Sequence, residues 1–340
     1  MIGQISKRFF KWPFQWVLRS RFWMQPIRAE PLALFRILVA LTMIGSALTS
    51  VAVDLPRFWS SDGLIPGEVT DKFLQGNNRF CVLRGFDGIP VIRKWLPADL
   101  VESSKRWMSS TAGISTAFVV WMTALVLLAA GCYSRTSAFV AWLLTVSFNH
   151  RALWAMNGGD DVGVQLLFYL ILAPAGVIWS LDALRKRKKC VDTSPPLIAP
   201  WSVRLIQIQL CFIYLATAFS KMDFSVSLFE NDWITGQSVY WVLNDSELSR
   251  WSYGFFPVPM LLCRLAAWGT IAFEFGFALL VWFRRLRPWV LAAGITLHLG
   301  ILVTMEVGWF SQFTLCYYAV FLRTRAANGT EEHGSTGCTG

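Results

Sequence analysis

Long apolar runs alternate with shorter polar segments along most of this chain. A helix needs about 20 apolar residues to span a bilayer, and several runs approach that length. The pattern therefore predicts about eight transmembrane helices. We place them at residues 32–53, 112–131, 137–148, 162–179, 201–220, 263–283, 288–304 and 307–322. The predicted fold class is all-α, a polytopic membrane helical bundle.

The polar segments predict the domain organisation. Residues 1–30 are basic and aromatic, which is typical of an amphipathic segment at the cytoplasmic membrane interface. The transmembrane domain is predicted to cover residues 31–322, with long outside loops at 54–110 and 221–262. The tail, 323–340, is low in complexity and is expected to be disordered and cytoplasmic.

Composition and charge fit a membrane protein. Hydrophobic residues make up 55% of the 340 residues and charged residues only 15%, against about 25% charged in soluble proteins. The net charge of +10 would also suit nucleic acid. However, the basic residues cluster beside apolar runs, at 185–189 and 284–287, as cytoplasmic loops do. We therefore expect an inner-membrane protein with both termini cytoplasmic and the lipid bilayer as partner, and no nucleic acid.

Cysteine and histidine usage gives no metal or disulfide signature. The seven cysteines include no CxxC pair, and the three histidines are scattered without ligand spacing. The chain also has no P-loop, dinucleotide fingerprint or nucleophile elbow. His150, Asp160 and Asp161 could contribute ligands, but they do not make a ligand-spaced set, so we expect no metal site.

Lys221 follows directly after the apolar run 201–220 and is the first candidate for chemistry. At the edge of an apolar region, desolvation favours the neutral amine, which can accept a proton. Asp223 and Trp233 follow in the polar segment after it. The alternative interpretation is that Lys221 only extends to the interface and anchors its helix.

Ionisable residues also fall inside the predicted spans: Arg36, Arg204, Glu274 and His298. Each costs about 2.5–3.5 kcal/mol at a helix centre, so such residues usually face the bundle interior. They are candidates for a polar site. The alternative is structural: Glu274 would pair with Arg36 or Arg204, and His298 would form a hydrogen bond between helices.

A second polar group lies before the span 162–179. Asn157, Asp160 and Asp161 belong to an Asn-Gly-Gly-Asp-Asp segment, which also fits a turn and a helix N-cap. The predicted topology places these side chains on the outer side of the membrane together with Lys221 and Asp223. This indicates an outward-facing polar site.

Four segments, in this order, carry a family resemblance. They are PLALFRIL at 31–38, FNHR through NGGDD at 148–161 with APAG and WSLD at 173–182, RLIQ through Lys221, Asp223 and Trp233 at 204–233, and His298 through WFS at 298–311. Together they resemble the horizontally transferred transmembrane (HTTM) domain family. This family is the bacterial relative of the membrane half of vitamin K-dependent gamma-carboxylase.

The resemblance implies a lysine base. In the carboxylase, the lysine at the position of Lys221 deprotonates vitamin K hydroquinone, and the oxygenated quinol then removes a glutamate proton so that carbon dioxide adds. A quinol or vitamin K-like lipid is the cofactor this implies. The carboxylase's Asn-His pair falls on residues 158–160, so Asp160 stands where a histidine is expected. No counterpart of the large luminal domain is expected either, since the chain ends soon after its last span. A vitamin K carboxylase proper is therefore not expected.

Bacterial members of the family also include proteins that help to mature secreted peptide toxins with a small soluble partner. By resemblance, we expect a protein that modifies or helps to mature a secreted peptide, or acts on a quinone-like lipid. Its activity would be carboxylase-like or peptide-maturing. The alternative is a non-catalytic membrane scaffold or carrier. The expected catalytic residues are Lys221, Asp160 and His298, and the expected binding residues are Asn157, Asp161, Asp223, Trp233, Glu274, Arg36 and Arg204.

Overall fold

The computed structural model of the chain is mostly helical, with almost no sheet. It describes residues 20–61, 63–64, 69, 72, 79–187, 196–222, 227, 230–251 and 258–322. Most of the predicted N-terminal amphipathic segment, residue Asp223 and the predicted tail 323–340 lie outside these residues. The described residues divide into two compact units. We name them the N-terminal unit (the described residues within 29–187 and 308–316) and the C-terminal unit (those within 20–28, 196–307 and 317–322).

The regular elements follow the chain from Ser20 onward. The α-helices of the first half are α1 Ser20–Met24, α2 Glu30–Ser46, α3 Leu55–Trp59, α4 Pro90–Arg93, α5 Ala98–Ser109, α6 Thr111–Ala130, α7 Ser134–Arg151, α8 Gly158–Leu172 and α9 Leu181–Arg187. Those of the second half are α10 Trp201–Met222, α11 Asp232–Thr235, α12 Gln237–Asn244, α13 Met260–Leu280, α14 Arg287–Thr304 and α15 Phe310–Cys316. Strands β1 Ile27–Arg28 and β2 Leu197–Ile198 pair antiparallel.

Within the described residues, five helical segments are long and apolar enough to cross a membrane. They are Glu30–Trp59, which runs from α2 to α3, and the helices α6, α10, α13 and α14. They coincide with five of the predicted spans, so a multi-pass helical membrane protein is confirmed. The count of about eight is not confirmed. Helix α7 carries Arg135, His150 and Arg151 at its ends, and α8 and α15 are short.

The N-terminal unit packs α2 against α6, α6 against α7, and α7 against α8, with α15 against α8 and α2. Between α2 and α3 the chain makes a π-helical turn at Ala47–Val51 and a 3₁₀ turn at Ala52–Asp54. Helix α6 begins at the cap Ser110, whose Oγ accepts a hydrogen bond from the Gly113 N–H. It ends at Gly131, which adopts φ 69°. Glycine tolerates this left-handed conformation, and side chains of Arg36 and Ser180 pack where a Cβ would lie.

The C-terminal unit is built on α10 and α13, with α14 packed against α13. Short helices α11 and α12, from the predicted loop 221–262, pack on α13. The Trp268 indole donates to the Ile234 carbonyl at 2.9 Å, which fixes α11 to α13. The 3₁₀ segment Tyr317–Phe321 packs against α10, where the Gln207 amide donates to the Val320 carbonyl at 2.6 Å.

Candidate functional site

Lys221 lies in the last turn of α10 and forms an ion pair with Glu274 of α13. Its Nζ lies 2.7 Å and 2.9 Å from the two carboxylate oxygens. The side chains are 14% and 8% exposed, so both are largely buried, although water still reaches the pair in part. The alternative interpretation, in which Glu274 pairs with Arg36 or Arg204, is therefore wrong. Its cation is Lys221.

The surroundings of Lys221 come from one face of α10 and from the segment that follows it. Tyr214, Thr217 and Lys221 are spaced to lie on the same face of the helix. The Asn231 amide donates to the Lys221 carbonyl at 3.1 Å, and its oxygen caps α11. This arrangement brings the Trp233 ring to 4.9 Å from Nζ, which is cation–π distance. Two predicted site residues, Trp233 and Glu274, thus contact the predicted base.

His298 belongs to a buried hydrogen-bonded chain in the same unit. Its Nε2 lies 2.8 Å from the Tyr214 hydroxyl, which lies 2.7 Å from the Tyr318 hydroxyl. The His298 residue is only 2% exposed, and the rings of Phe273 and Phe277 pack around Tyr214. The chain joins α10 to α14 and to the 3₁₀ segment. His298 is therefore a hydrogen-bonded interhelical residue, and its catalytic role remains a prediction.

Arg204, which was expected to bind, packs inside the C-terminal unit. Its Nη1 donates to the Gln207 side-chain oxygen at 2.9 Å, and its guanidinium lies 4.4 Å from the centre of the Phe22 ring. Gln207 in turn holds the 3₁₀ segment, so both polar side chains of this turn of α10 have structural partners.

Arg36, also expected to bind, satisfies backbone carbonyls of the N-terminal unit. The residue is fully buried. Its guanidinium donates to the carbonyls of Ala175 at 2.6 Å and Trp179 at 2.5 Å, with longer contacts to Ile178 and Ala129. It therefore ties the end of α6 to the segment before α9. Backbone carbonyls carry no sequence signal, so this partner set was not predictable.

Asn157 and Asp160 form a capping box at the start of α8, which confirms the predicted N-cap. The Asn157 oxygen accepts from the Gly159 N–H, and the Asp160 Oδ2 accepts from the Asn157 N–H, each at 2.8 Å. Asp161 is exposed. Burial raises the pKa of the Asp160 carboxyl above its ordinary value, although the Asn157 N–H opposes the shift.

A cavity of about 120 Å³ lies beside Asp160 in the N-terminal unit. Aromatic side chains form much of its wall, and the π-helical turn contributes Ser50 and Val51. Asn149 also lines it, and its Nδ2 is buried without a hydrogen bond among the described residues. Aromatic residues from distant parts of the chain gave no sequence signal for this cavity. Its aromatic lining residues are Trp59, Trp121, Phe148, Trp309 and Phe313.

Replacing Asp160 with asparagine is expected to increase stability at neutral pH. The amide keeps the capping hydrogen bond but removes a partly desolvated charge. As pH falls below the ordinary pKa of the carboxyl, about 3.9, both states of the wild-type chain take up the proton and the difference is expected to vanish. As pH rises, the unfolded chain ionises first because the folded pKa is raised, and wild-type stability falls relative to the variant. Thermal unfolding in detergent between pH 3.5 and 8 measures this. The exposed Asp161→Asn variant is the control, and a pH-independent difference would contradict the prediction.

The geometry defines a multi-pass helical membrane protein with a polar ion pair at the end of one span. The family model of the HTTM domain matches residues 104–325. The match covers more than half of the chain, so the chain belongs to the HTTM domain family, the membrane domain of vitamin K-dependent gamma-carboxylase-like proteins. No curated protein matches the chain. No solved structure matches it either.

Proposed function

We propose that this HTTM protein modifies or helps to mature a secreted peptide, or acts on a quinone-like lipid, with Lys221 as the base. The observation that carries the proposal is the contact of Lys221 with Glu274 and Trp233 at the end of α10. A structural anchor needs only a cation at the interface. A lysine held by a carboxylate in an apolar setting is also suited to moving a proton.

The ion pair offers a route to the neutral amine. Transfer of one proton from the Lys221 ammonium to a Glu274 oxygen, across 2.7 Å, leaves an amine and a carboxylic acid. Burial penalises two ions more than two neutral groups, so the apolar setting lowers the cost of this transfer. The amine then takes a proton from a weakly acidic O–H or C–H of the substrate, leaving a substrate anion and an ammonium. Trp233 stabilises that ammonium by cation–π contact.

We place the site on the outer side of the bacterial inner membrane, with both chain termini cytoplasmic. Clusters of basic residues at 185–187 and 284–287 support this orientation, since such residues concentrate in cytoplasmic loops. The secreted peptide, a small soluble partner and a quinol cofactor rest on the family resemblance. In this proposal Asp160 and the cavity beside it form a second polar region, in which Asn157 orders the start of α8.

Mass spectrometry of secreted peptides and membrane lipids from strains with and without the gene tests the proposal. The variant carrying both Lys221→Met and Glu274→Gln removes the two charges together and so avoids leaving one buried ion unpaired. We expect the wild-type gene and an exposed control variant, Lys186→Met, to produce the same mass change. The double variant should insert normally and produce none. Full activity of the double variant would contradict the assignment of Lys221 as the base.

The alternative is a non-catalytic scaffold or carrier. The observation in its favour is that Arg36, Arg204 and His298 each have structural partners within their own unit. A scaffold predicts that deletion changes no peptide or lipid mass, while recovery of a soluble partner from membranes falls. The same strains therefore separate the two functions.

A further inference from the structure

The segment between the first two candidate spans presents large apolar side chains outward. We name residues 90–109 the α4–α5 hairpin. In it, Val91 is 74% exposed and Trp95 84%, and Leu100 and Trp107 are exposed on α5. Exposure of large apolar side chains to water is unfavourable, so a patch of them usually marks a surface that is covered by a partner or a membrane.

Contacts with the preceding segment of the chain hold the hairpin in this arrangement. The 3₁₀ segment Val82–Gly88 packs along α5, where the Ser104 Oγ accepts from the Phe86 N–H at 3.0 Å. Asp87, which is buried, forms ion pairs with Arg84 of this segment and with Arg93 of α4. The outward direction of the apolar side chains is therefore fixed by packing and buried charge.

Helix α5 exposes two separate strips. Its inner face, around Ser104, packs on the 3₁₀ segment Val82–Gly88. At about 100° per residue, Leu100 and Trp107 lie together on one flank of that face. Glu102 and Arg106 are exposed and lie on the opposite flank. The exposed surface of α5 is thus divided into an apolar strip and a charged strip, as in helices that lie along a membrane surface.

The position of α5 in the chain identifies what covers the apolar strip. The helix ends at Ser109, and the candidate span α6 begins at Thr111. Ser110 between them has φ −70° and ψ 159°, so the chain leaves helical geometry and α5 need not continue along the axis of the span. The C-terminal end of α5 therefore lies at membrane-surface level. Its 12 residues extend about 18 Å from there.

We propose that the α4–α5 hairpin docks on the lipid headgroup region of the bilayer. Trp95, Leu100 and Trp107 enter the boundary between headgroups and acyl chains, where indole rings are favoured. Lys94, which is exposed beside Trp95, contacts anionic headgroups. Glu102 stays in water. The hairpin would then fix the position of the first outside segment along the membrane normal. This role does not depend on the function of the Lys221 site.

Spin-label accessibility in nanodiscs tests this. The full chain is reconstituted in discs that contain phosphatidylcholine and phosphatidylglycerol, with single labels through Trp95→Cys, Leu100→Cys or Glu102→Cys. Cys190 and Cys338 are replaced by serine, because the other five cysteines are buried. The readout is the ratio of collisions with oxygen, which partitions into lipid, to collisions with a water-soluble nickel chelate.

We expect this ratio to be several-fold higher at positions 95 and 100 than at position 102, and to fall at position 95 in discs of phosphatidylcholine alone. Equal ratios at the three positions overturn lipid docking. Labels shielded from both reagents would show a protein cover and overturn it as well. An unchanged ratio in uncharged discs would overturn the role assigned to Lys94.

Discussion

Replacement of Arg36 with methionine is expected to lower the free energy of unfolding by about 3–5 kcal/mol. The guanidinium is fully buried and donates to four backbone carbonyls, two of them at 2.5–2.6 Å. Hydrogen bonds from a charged donor contribute about 1.5–3 kcal/mol each. Methionine fills much of the same space but leaves these carbonyls, of which the Ala175 carbonyl is buried, without their donor. Thermal or denaturant unfolding of the purified chain in detergent measures the loss.

Two variants control for this result. Arg36→Lys keeps the charge but lacks the planar fork that reaches separate carbonyls, so its loss of stability should be intermediate. Arg135→Met removes an exposed arginine from the start of α7, and it should change stability by less than about 0.5 kcal/mol. An Arg36→Met chain as stable as the Arg135 variant would show that the carbonyl contacts contribute little.

Arg36 also illustrates what the sequence can and cannot predict. An arginine within an apolar run signals a buried polar contact, because lipid cannot solvate it. The sequence around Arg36 does not show which groups it contacts. The partners of Arg36 are carbonyls near residues 129 and 175–179, which become available only where α6 ends and the chain bends. The ion pair with Glu274, which was considered as an alternative, rested on opposite charge alone and was wrong.

The helices themselves were more predictable than their roles. Runs such as 112–131 and 201–220 are long, continuous and apolar, and the structure has α6 and α10 there. The Asn157 cap was predictable because its side chain acts on neighbouring backbone groups. The cavity beside Asp160 was not, since its lining residues come from α2, α3, α6, α7, α8 and α15. Likewise, Lys221 and Glu274 are 53 residues apart, and only the packing of α10 on α13 joins them.

Single substitutions in the Lys221–Glu274 pair are expected to destabilise the chain more than the double substitution does. Lys221→Met leaves the 8%-exposed Glu274 carboxylate without its cation, and we expect a loss of about 2–4 kcal/mol. Glu274→Gln should cost a similar amount, because it leaves the Lys221 ammonium beside a neutral amide. Combining the two removes both desolvated ions, so the double variant should return to within about 1 kcal/mol of the wild type.

Among the wild type, the two single variants and the double variant, activity is expected to change differently from stability. If Lys221 is the base, the double variant regains its fold but not its function, because methionine cannot accept a proton. If the pair only joins α10 to α13, stability and function recover together. Unfolding of the purified proteins and peptide mass spectrometry on the same variants measure the two quantities separately. A double variant that is stable and active assigns the pair to packing, and one that is stable and inactive assigns it to chemistry.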